Sequence, residues 1–138
     1  MVRIIKDLIL ITLGGLVYCW IEVFFRGYTH WSMGIVGGLC FLICGLVNEY
    51  FSMDMLIWKQ MIICAVLITM VEFVSGCILN LWLGLGIWDY SNIPLNVWGQ
   101  ICMPFSIVWL VLSFPAIALD DYLRYWYFDE EKPRYRWK

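Results

Sequence analysis

The fold is decided by residues 61–88, MIICAVLITMVEFVSGCILNLWLGLGIW, an almost unbroken apolar run with one carboxylate and no lysine or arginine. A helix crosses the hydrocarbon core of a bilayer with about 20 mostly apolar residues, so this run is too long for one crossing. We expect a membrane span over about 56–79, followed by an interfacial segment over 81–88. Tryptophan favours the membrane interface, and this segment contains Trp82 and Trp88.

The composition of the whole chain agrees with a membrane location. Of its 138 residues, 63% are hydrophobic and 14% are charged, and the mean hydropathy is +0.80. An ordinary soluble domain has roughly 45–50% apolar and about 25% charged residues. These values exclude a soluble globular domain, and the 9 Trp, 8 Tyr and 8 Phe exclude a disordered chain. A net charge of −2 provides no basic face for nucleic acid, and the length fits one domain.

Three other segments are also long and apolar enough to cross a membrane. Together with the span already named, the predicted spans cover about 6–26, 32–48, 56–79 and 97–119. The first follows Arg3 and Lys6 but lacks a small-residue cleavage site, so we interpret it as an uncleaved span. The sequence therefore predicts an all-α polytopic membrane protein, with a four-span domain over 1–119 and a juxtamembrane tail over 120–138.

The distribution of lysine and arginine predicts the orientation, because cytoplasmic loops are enriched in these residues. Of the nine lysines and arginines, all but Arg26 fall on one side of the predicted hairpins. They are Arg3, Lys6, Lys59, Arg124, Lys132, Arg134, Arg136 and Lys138. Both termini are therefore predicted to be cytoplasmic, with loops 26–32 and 80–96 outside.

The tail after the fourth span combines aromatic and cationic residues. Such a segment is typical of an anchor on anionic membrane lipid, which makes lipid a predicted partner. Asp120 and Asp121 precede Arg124 by four and three residues, and this spacing predicts ordinary ion pairs on a helix surface.

The two halves of the chain resemble each other and predict an internal repeat. The matched positions are 28–30 with 90–92, Gly37 with Gly99, Cys40 with Cys102, and Glu22 with Glu72. Each unit contains two crossings, so the two units would enter the membrane from the same side as parallel two-helix repeats. Glu22 and Glu72 would then lie at matching depths towards the outer leaflet.

Glu72 is the most informative candidate for a functional residue. It lies about seven residues before the outer end of its span, roughly 10 Å deep at 1.5 Å per residue. A carboxylate at that depth costs several kcal/mol unless it is protonated, paired or in contact with water. Either it serves a site for a cation, a proton or a polar group, or it ties helices together by hydrogen bonds. The sequence leaves both roles open.

Other candidates surround this position in the predicted outer region. Arg26 follows Glu22 by four residues, which favours an interfacial ion pair on one helix face. The loop Trp88-Asp89-Tyr90 is interpreted as a turn that also closes a pocket above Glu72. Asn96 is predicted to cap the fourth span, because asparagine favours helix N-caps.

Small residues predict close helix contacts. Gly34 and Gly38 form a small-residue face on the second span, and Gly99 is given the same packing role in the fourth. We expect a homo-oligomer, most simply a dimer, that uses the face of the second span. The alternative is that these glycines pack inside one chain, between the second span and the first or fourth.

Sequence motifs for catalysis, metals and cofactors are missing. The six cysteines lie in or beside apolar runs without the histidine or third cysteine of a metal site, and we interpret them as packing residues. The sequence has no phosphate-binding loop, no nucleophile-elbow motif and no zinc-protease motif. We therefore expect no catalytic residues, no metal and no cofactor, and we do not expect an enzyme.

Four short motifs in the second half of the chain are distinctive. They are Glu72-Phe73-Val74-Ser75-Gly76, Trp88-Asp89-Tyr90-Ser91, Pro94-Leu95-Asn96, and Gly99-Gln100-Ile101-Cys102 with the later Trp109. With them the chain resembles the ABC-transporter type IV (CmpB-like) membrane proteins, a group that includes relatives of transmembrane protein 229. The resemblance covers about residues 70–113 well and 20–45 more loosely. Family motif positions fall on Glu72, Gly76, Trp88, Asp89, Tyr90, Asn96, Gly99 and Trp109.

The chain departs from the family pattern at two positions. Gln100 stands where the family often has a basic residue, and Leu110 stands where it often has glycine. The first change removes a positive charge beside the acidic site. The resemblance implies a permease component that works with a separate ATPase or another subunit.

Two functions from different classes follow from the sequence. The leading hypothesis is a small transport-related membrane protein with an outward-facing acidic and aromatic pocket around Glu72. The alternative is a membrane scaffold or regulatory subunit whose polar residues only lock helices together.

Overall fold

The described part of the chain forms four long helices. The computed structural model describes residues 1–51 and 54–138, without the side chain of Asn48. Helices α1 (Val2–Arg26), α2 (Trp31–Phe51), α3 (Ile57–Gly76) and α4 (Met103–Phe128) follow in chain order. A π-helical turn, Cys77–Trp82, extends α3. Within the described residues, all four helices are long and apolar enough to cross a membrane, which confirms the predicted all-α polytopic class.

Local sequence explains where α1 and α4 end and begin. After α1, Gly27 adopts a left-handed conformation with φ 79°, and its N–H donates to the carbonyl of Val23 at 2.8 Å. Glycine adopts this conformation without a steric penalty, so it ends the helix. At α4, Pro104 occupies the first helical turn, where proline has no hydrogen bond to lose.

The start of α4 differs from the predicted fourth span. Instead of a helix from about 97, the chain forms a small antiparallel hairpin of β1 (Asn96–Val97) and β2 (Ile101–Cys102). The helix therefore begins six residues later, and it continues to Phe128 through the first half of the predicted tail. Hydropathy alone does not distinguish an apolar hairpin from an apolar helix start.

The helices pack in a defined order around α2. Helix α1 packs on α2, α2 also contacts α3 and α4, and α3 packs on α4. By contrast, α1 and α4 do not pack closely on each other within the described residues. The buried apolar cluster lies between α2, α3 and α4 and includes Cys44, Cys64, Ile68 and Ile117. This order leaves a gap between α1 and α4.

Glycines set the close approach of α1 and α2. A Cβ atom added to Gly15 would collide with the carbonyl oxygen of Gly34, and one added to Gly38 would collide with that of Ile11. A Cβ atom on Gly34 would lie 3.3 Å from the Sγ atom of Cys19. The small-residue face of α2 is thus used inside the chain, which is the competing outcome described above. A homo-oligomer remains a prediction, but it needs a different surface.

Arg124 and its partners correct the prediction of a surface ion pair. Asp120 is 0% exposed, Asp121 is 2% exposed and Arg124 is 5% exposed, so all three are buried. The spacing of these residues is compatible with any helix face, and in the fold this face packs against α2. A Cβ atom on Gly45 of α2 would collide with the Asp120 carboxylate, so glycine at that position makes room for the acid.

The two ends of the bundle differ in how many charged side chains they carry. One end holds Arg124 with the carboxylates of Glu49, Asp120 and Glu130, as well as the Lys6–Glu130 pair at 3.4 Å. The opposite end holds Arg26. The side of the membrane that each end faces stays a prediction.

Candidate binding site around Glu72

Glu72 lies on the inner face of α3 and is 7% exposed. Its two carboxylate oxygens accept hydrogen bonds from two other parts of the chain. The Tyr90 hydroxyl donates to Oε1 at 2.8 Å, and Trp109 Nε1 donates to Oε2 at 2.9 Å. These bonds join α3 to α4 and to residues 83–95. We call residues 83–95 the outer segment, because the predicted orientation places them outside. None of the ion pairs formed by the described residues includes Glu72, so both of its partners are neutral.

A cavity of about 210 Å³ borders the Glu72 side chain. All four helices contribute to its wall, which is mostly apolar apart from Glu72 and Tyr18. Its lining includes five exposed residues, two on α1 and three on α4. They are Val17, Ile21, Leu112, Pro115 and Leu119. The cavity therefore opens sideways, at the gap between α1 and α4, towards the surroundings of the bundle. We call this space the Glu72 cavity.

Trp88 lines the Glu72 cavity at the end of the bundle that holds Arg26. It is 8% exposed, and its Nε1 donates to the backbone oxygen of Gln100 at 3.0 Å. Gln100 is itself held, since its Oε1 accepts from Asn80 Nδ2 at 2.8 Å. A Cβ atom on Gly76 would lie 2.6 Å from that Oε1 atom, so this motif glycine lets Gln100 approach α3. The Gln100 side chain, the departure from the family pattern, thus bonds to Asn80, while its backbone oxygen holds Trp88.

Tyr90 points inward, whereas its neighbour Asp89 does not. The Tyr90 ring stacks on Phe105 with centroids 4.8 Å apart, and its hydroxyl reaches Glu72. Burial, with the nearby Glu72 carboxylate, raises the pKa of Tyr90, so the hydroxyl remains a donor at neutral pH. Asp89 is exposed and lies outside the cavity wall. Its Oδ1 accepts hydrogen bonds from the Ser91 hydroxyl and from the Ser91 N–H at 2.9 Å, and these bonds hold the pKa of Asp89 below its usual range.

Asn96 and Gly99 shape the hairpin instead of the fourth helix. The Asn96 side chain donates to the carbonyl of Ile93 at 2.8 Å and accepts from the Gly99 N–H at 3.0 Å. The N-cap of α4 is Cys102, so the prediction that Asn96 caps this helix is wrong. Gly99 has φ 71°, and a Cβ atom there would lie 2.8 Å from the Asp89 carboxylate. It therefore serves a turn and not a helix–helix contact.

Glu22 and Arg26 form a separate polar cluster at the end of α1. Arg26 Nη1 donates to Glu22 Oε1 at 3.1 Å, and the Thr29 hydroxyl donates to Oε2 at 2.7 Å. Arg26 Nη2 also donates to the carbonyl of Ile87 at 3.0 Å, next to Trp88. The Tyr18 hydroxyl lies 3.4 Å from Glu22 Oε1, and the Tyr18 ring lines the Glu72 cavity. Glu22 is thus neutralised by a cation, unlike Glu72.

Two residues of the site, Tyr18 and Trp109, were not among the sequence candidates. Their ring centroids lie 6.4 Å apart across the cavity wall. Both could have been identified from the sequence, because Tyr18 precedes Glu22 by one helical turn and Trp109 falls on a family motif position. Within the described ranges, no group of three or more His, Cys, Asp or Glu residues is arranged to hold a metal ion.

Comparison with known proteins supports the motif assignment. No curated protein and no solved structure is similar enough to the chain to count as a match. Residues 9–130 match the protein family described as "Putative ABC-transporter type IV". This match covers most of the 138 residues, including most of α1, all of α2, α3 and α4, and the Glu72 site. The chain therefore belongs to the ABC-transporter type IV family.

Proposed function

We propose that this integral membrane protein is a permease-like transport component that binds its ligand in the Glu72 cavity. The observation that carries the proposal is a buried carboxylate that borders a cavity and has only neutral hydrogen-bond partners. A charge in this setting is costly unless a ligand or a proton compensates it. Membership of a family described as transporter-like favours a ligand that passes through the membrane.

The energy source in this proposal is a separate chain. The sequence has no phosphate-binding loop, so an ATPase would be a partner subunit. With both termini in the cytoplasm, that subunit would contact the end of the bundle that carries Arg124.

Access from outside would depend on Trp88. Its side chain lines the cavity at the end that holds Arg26, and the Arg26–Ile87 hydrogen bond holds the same segment to α1. An outward-facing pocket would therefore require displacement of this segment. The segment between Trp82 and β1 has no regular secondary structure, so its movement would not break a helix.

A scaffold or regulatory subunit is the second candidate function. The observation that favours it is that each oxygen of Glu72 already accepts one hydrogen bond, from Tyr90 and from Trp109. In this function, Glu72 has a purely structural role: its hydrogen bonds hold α3, the outer segment and α4 together. In this case the cavity would have no ligand.

Cys40 provides a natural reporter that separates the two functions, because it lines the Glu72 cavity. The test uses variants in proteoliposomes that retain one native cysteine, with the other five replaced by alanine. A small methanethiosulfonate reagent should modify Cys40 and should react faster after Trp88→Ala. The matched control retains only Cys64, which is fully buried in the helix core. If Cys40 is as unreactive as Cys64 with and without Trp88, the scaffold function is favoured and the transport proposal fails.

A further inference from the structure

We infer that the Glu72 cavity takes an organic cation with an apolar body, a substrate class that rests on the proposed function. Three features of the cavity support this class: an uncompensated carboxylate, aromatic rings around it, and an opening that faces lipid.

The carboxylate sets the charge of the ligand. Glu72 receives hydrogen bonds from Tyr90 and Trp109 but has no cationic partner among the described residues. Arg26, which lies at the same end of the bundle, is engaged by Glu22 and by the carbonyl of Ile87. A cation in the cavity would supply the missing opposite charge in a poorly solvated place, where that interaction is strongest. An anion would be repelled.

Aromatic rings make the wall suitable for an ammonium group. Tyr18, Trp88 and Trp109 all line the cavity beside Glu72, and Phe41 lies on its α2 side. A cation within about 6 Å of the face of such a ring is attracted by the negative face of the π-system. This attraction requires no hydrogen bond from the ligand, so it suits alkylated ammonium groups.

The rest of the wall is poorly suited to calcium or magnesium. These ions need about six oxygen ligands, whereas the side chains of the described wall offer only the Glu72 carboxylate and the Tyr18 hydroxyl. Most of the remaining lining is apolar, which favours a ligand with a hydrocarbon part. The volume of about 210 Å³ is below the roughly 300–1,000 Å³ of sites for drug-sized molecules, so the body must be small.

The position of the opening indicates how such a ligand enters. The rim lies between α1 and α4, and its exposed side chains include Val17 and Leu112. Both helices are predicted to cross the membrane, so the rim faces the bilayer. An amphiphilic cation partitions into that region, and two sources share this chemistry. One is a free organic cation, and the other is the ammonium headgroup of a membrane lipid.

Benzyltrimethylammonium and neopentylbenzene form a matched pair of probes, because they have the same shape and differ in charge. Binding is measured with radiolabelled probes on the full chain in phosphatidylglycerol nanodiscs, with empty discs as background. The wild type should bind the cation more tightly than the neutral probe. Glu72→Gln should weaken cation binding by about tenfold or more, because glutamine keeps the hydrogen bonds but not the charge. Glu22→Gln is the control, since it removes a carboxylate that lies outside the cavity wall.

Cavity filling distinguishes failure of the substrate class from failure of the site. Ala116 lines the cavity and Ala118 of the same helix does not, so Ala116→Phe should abolish binding and Ala118→Phe should not. Equal cation affinity in the wild type and Glu72→Gln, or equal affinity for both probes, would overturn the cation class. If the cation class failed in this way but Ala116→Phe still abolished binding of the neutral probe, the cavity would remain a binding site for an uncharged ligand. Absence of cation binding to the wild type also overturns this inference, while Cys40 reactivity continues to decide the proposed function.

The two sources are separated by the lipid composition. Discs that contain phosphatidylcholine, whose headgroup is a trimethylammonium, should lower the apparent affinity for benzyltrimethylammonium if the headgroup occupies the site, and this competition should disappear in Glu72→Gln. Unchanged affinity with phosphatidylcholine supports a free organic cation instead.

Discussion

Arg124 donates an Nε hydrogen bond to Asp120 Oδ2 at 2.8 Å, and less than a tenth of either residue is exposed. The same guanidinium donates through Nη1 to Glu49 at 2.9 Å and lies 4.0 Å from Asp7. It thereby joins α4 to α2 and α1 at the end of the bundle opposite Arg26. This contact and the Tyr18–Trp109 ring pair, with centroids 6.4 Å apart, both connect α1 to α4.

Removing either partner of this buried pair should destabilise the fold strongly. Arg124→Ala leaves the Asp120 carboxylate buried without its cation, and breaking a buried pair in this way costs about 3–5 kcal/mol. We expect a large fall in the thermal unfolding midpoint in detergent. Arg134→Ala is the control, because Arg134 pairs with Asp54 in an exposed position. Equal midpoints for the two variants would mean that Arg124 is solvated in the folded protein.

Glutamine at position 72 should preserve the fold, whereas alanine should not. The amide oxygen of Glu72→Gln can accept from Trp109 Nε1, and its amide nitrogen can donate to the Tyr90 oxygen, so we expect a change of about 1 kcal/mol or less. Glu72→Ala leaves both donors without a partner and should lower the unfolding midpoint further. Detergent melts of the two variants measure this difference. Equal destabilisation by both would show that the negative charge itself holds the helices.

Much of the fold and part of the site are predictable from the sequence. Spans follow from local hydropathy, and Glu72 stands out because a carboxylate is rare in an apolar run. The Trp88-Asp89-Tyr90 loop is expected above Glu72 from the sequence. The sequence does not indicate that Tyr90 and Trp109, 18 and 37 residues further along the chain, donate to the two carboxylate oxygens. Such contacts depend on how α3, α4 and the outer segment meet, and no local pattern encodes that.

The errors at Asn96 and Arg124 have physical reasons. Asparagine satisfies backbone groups in a turn as well as at a helix start, and the turn was the stronger competitor because Gly99 follows three residues later. The spacing of Asp120 and Arg124 indicates that they share a helix face, but it does not indicate whether another helix covers that face. The space for the Asp120 carboxylate is provided by Gly45 on α2, and only the packed structure shows that these two residues meet.

The orientation of the chain can be tested at two exposed positions, Asn92 and Lys132. On a background without native cysteines, we expect a membrane-impermeant thiol reagent to label Asn92→Cys in intact cells. Lys132→Cys should be labelled only after the membrane is permeabilised. This result follows from the excess of lysine and arginine at the end that carries both termini. The reverse pattern would invert the topology and place Trp88 towards the cytoplasm.

Asp89 should behave as a turn residue and not as a ligand residue. Asparagine can accept the same hydrogen bonds from Ser91, so Asp89→Asn should retain the fold and the binding of benzyltrimethylammonium, whereas Asp89→Ala should loosen the loop. The Ser91 hydrogen bonds lower the pKa of folded Asp89 below the unfolded value of about 3.9. The stabilisation by the charged form is therefore complete above that pH and is lost as the pH falls through the lowered value. Melting curves of the wild type and Asp89→Asn between neutral and acidic pH test this, and loss of cation binding in Asp89→Asn would contradict it.

The last prediction separates helix packing from self-association on α2. A methyl group added by Gly38→Ala would collide with the carbonyl oxygen of Ile11, so α1 and α2 must move apart. Overpacking of this kind costs about 1–3 kcal/mol, and we expect a lower unfolding midpoint. Leu39→Ala is the control, because Leu39 is the next residue and is exposed on the outside of the helix.

The predicted dimer is measured by native mass spectrometry in nanodiscs at several protein concentrations, and a single monomeric species would contradict that prediction. If the dimer is present, Gly38→Ala should leave its proportion unchanged, because this glycine faces α1 of its own chain. Loss of the dimer with an unchanged melting midpoint would instead place Gly38 at the interface between two copies.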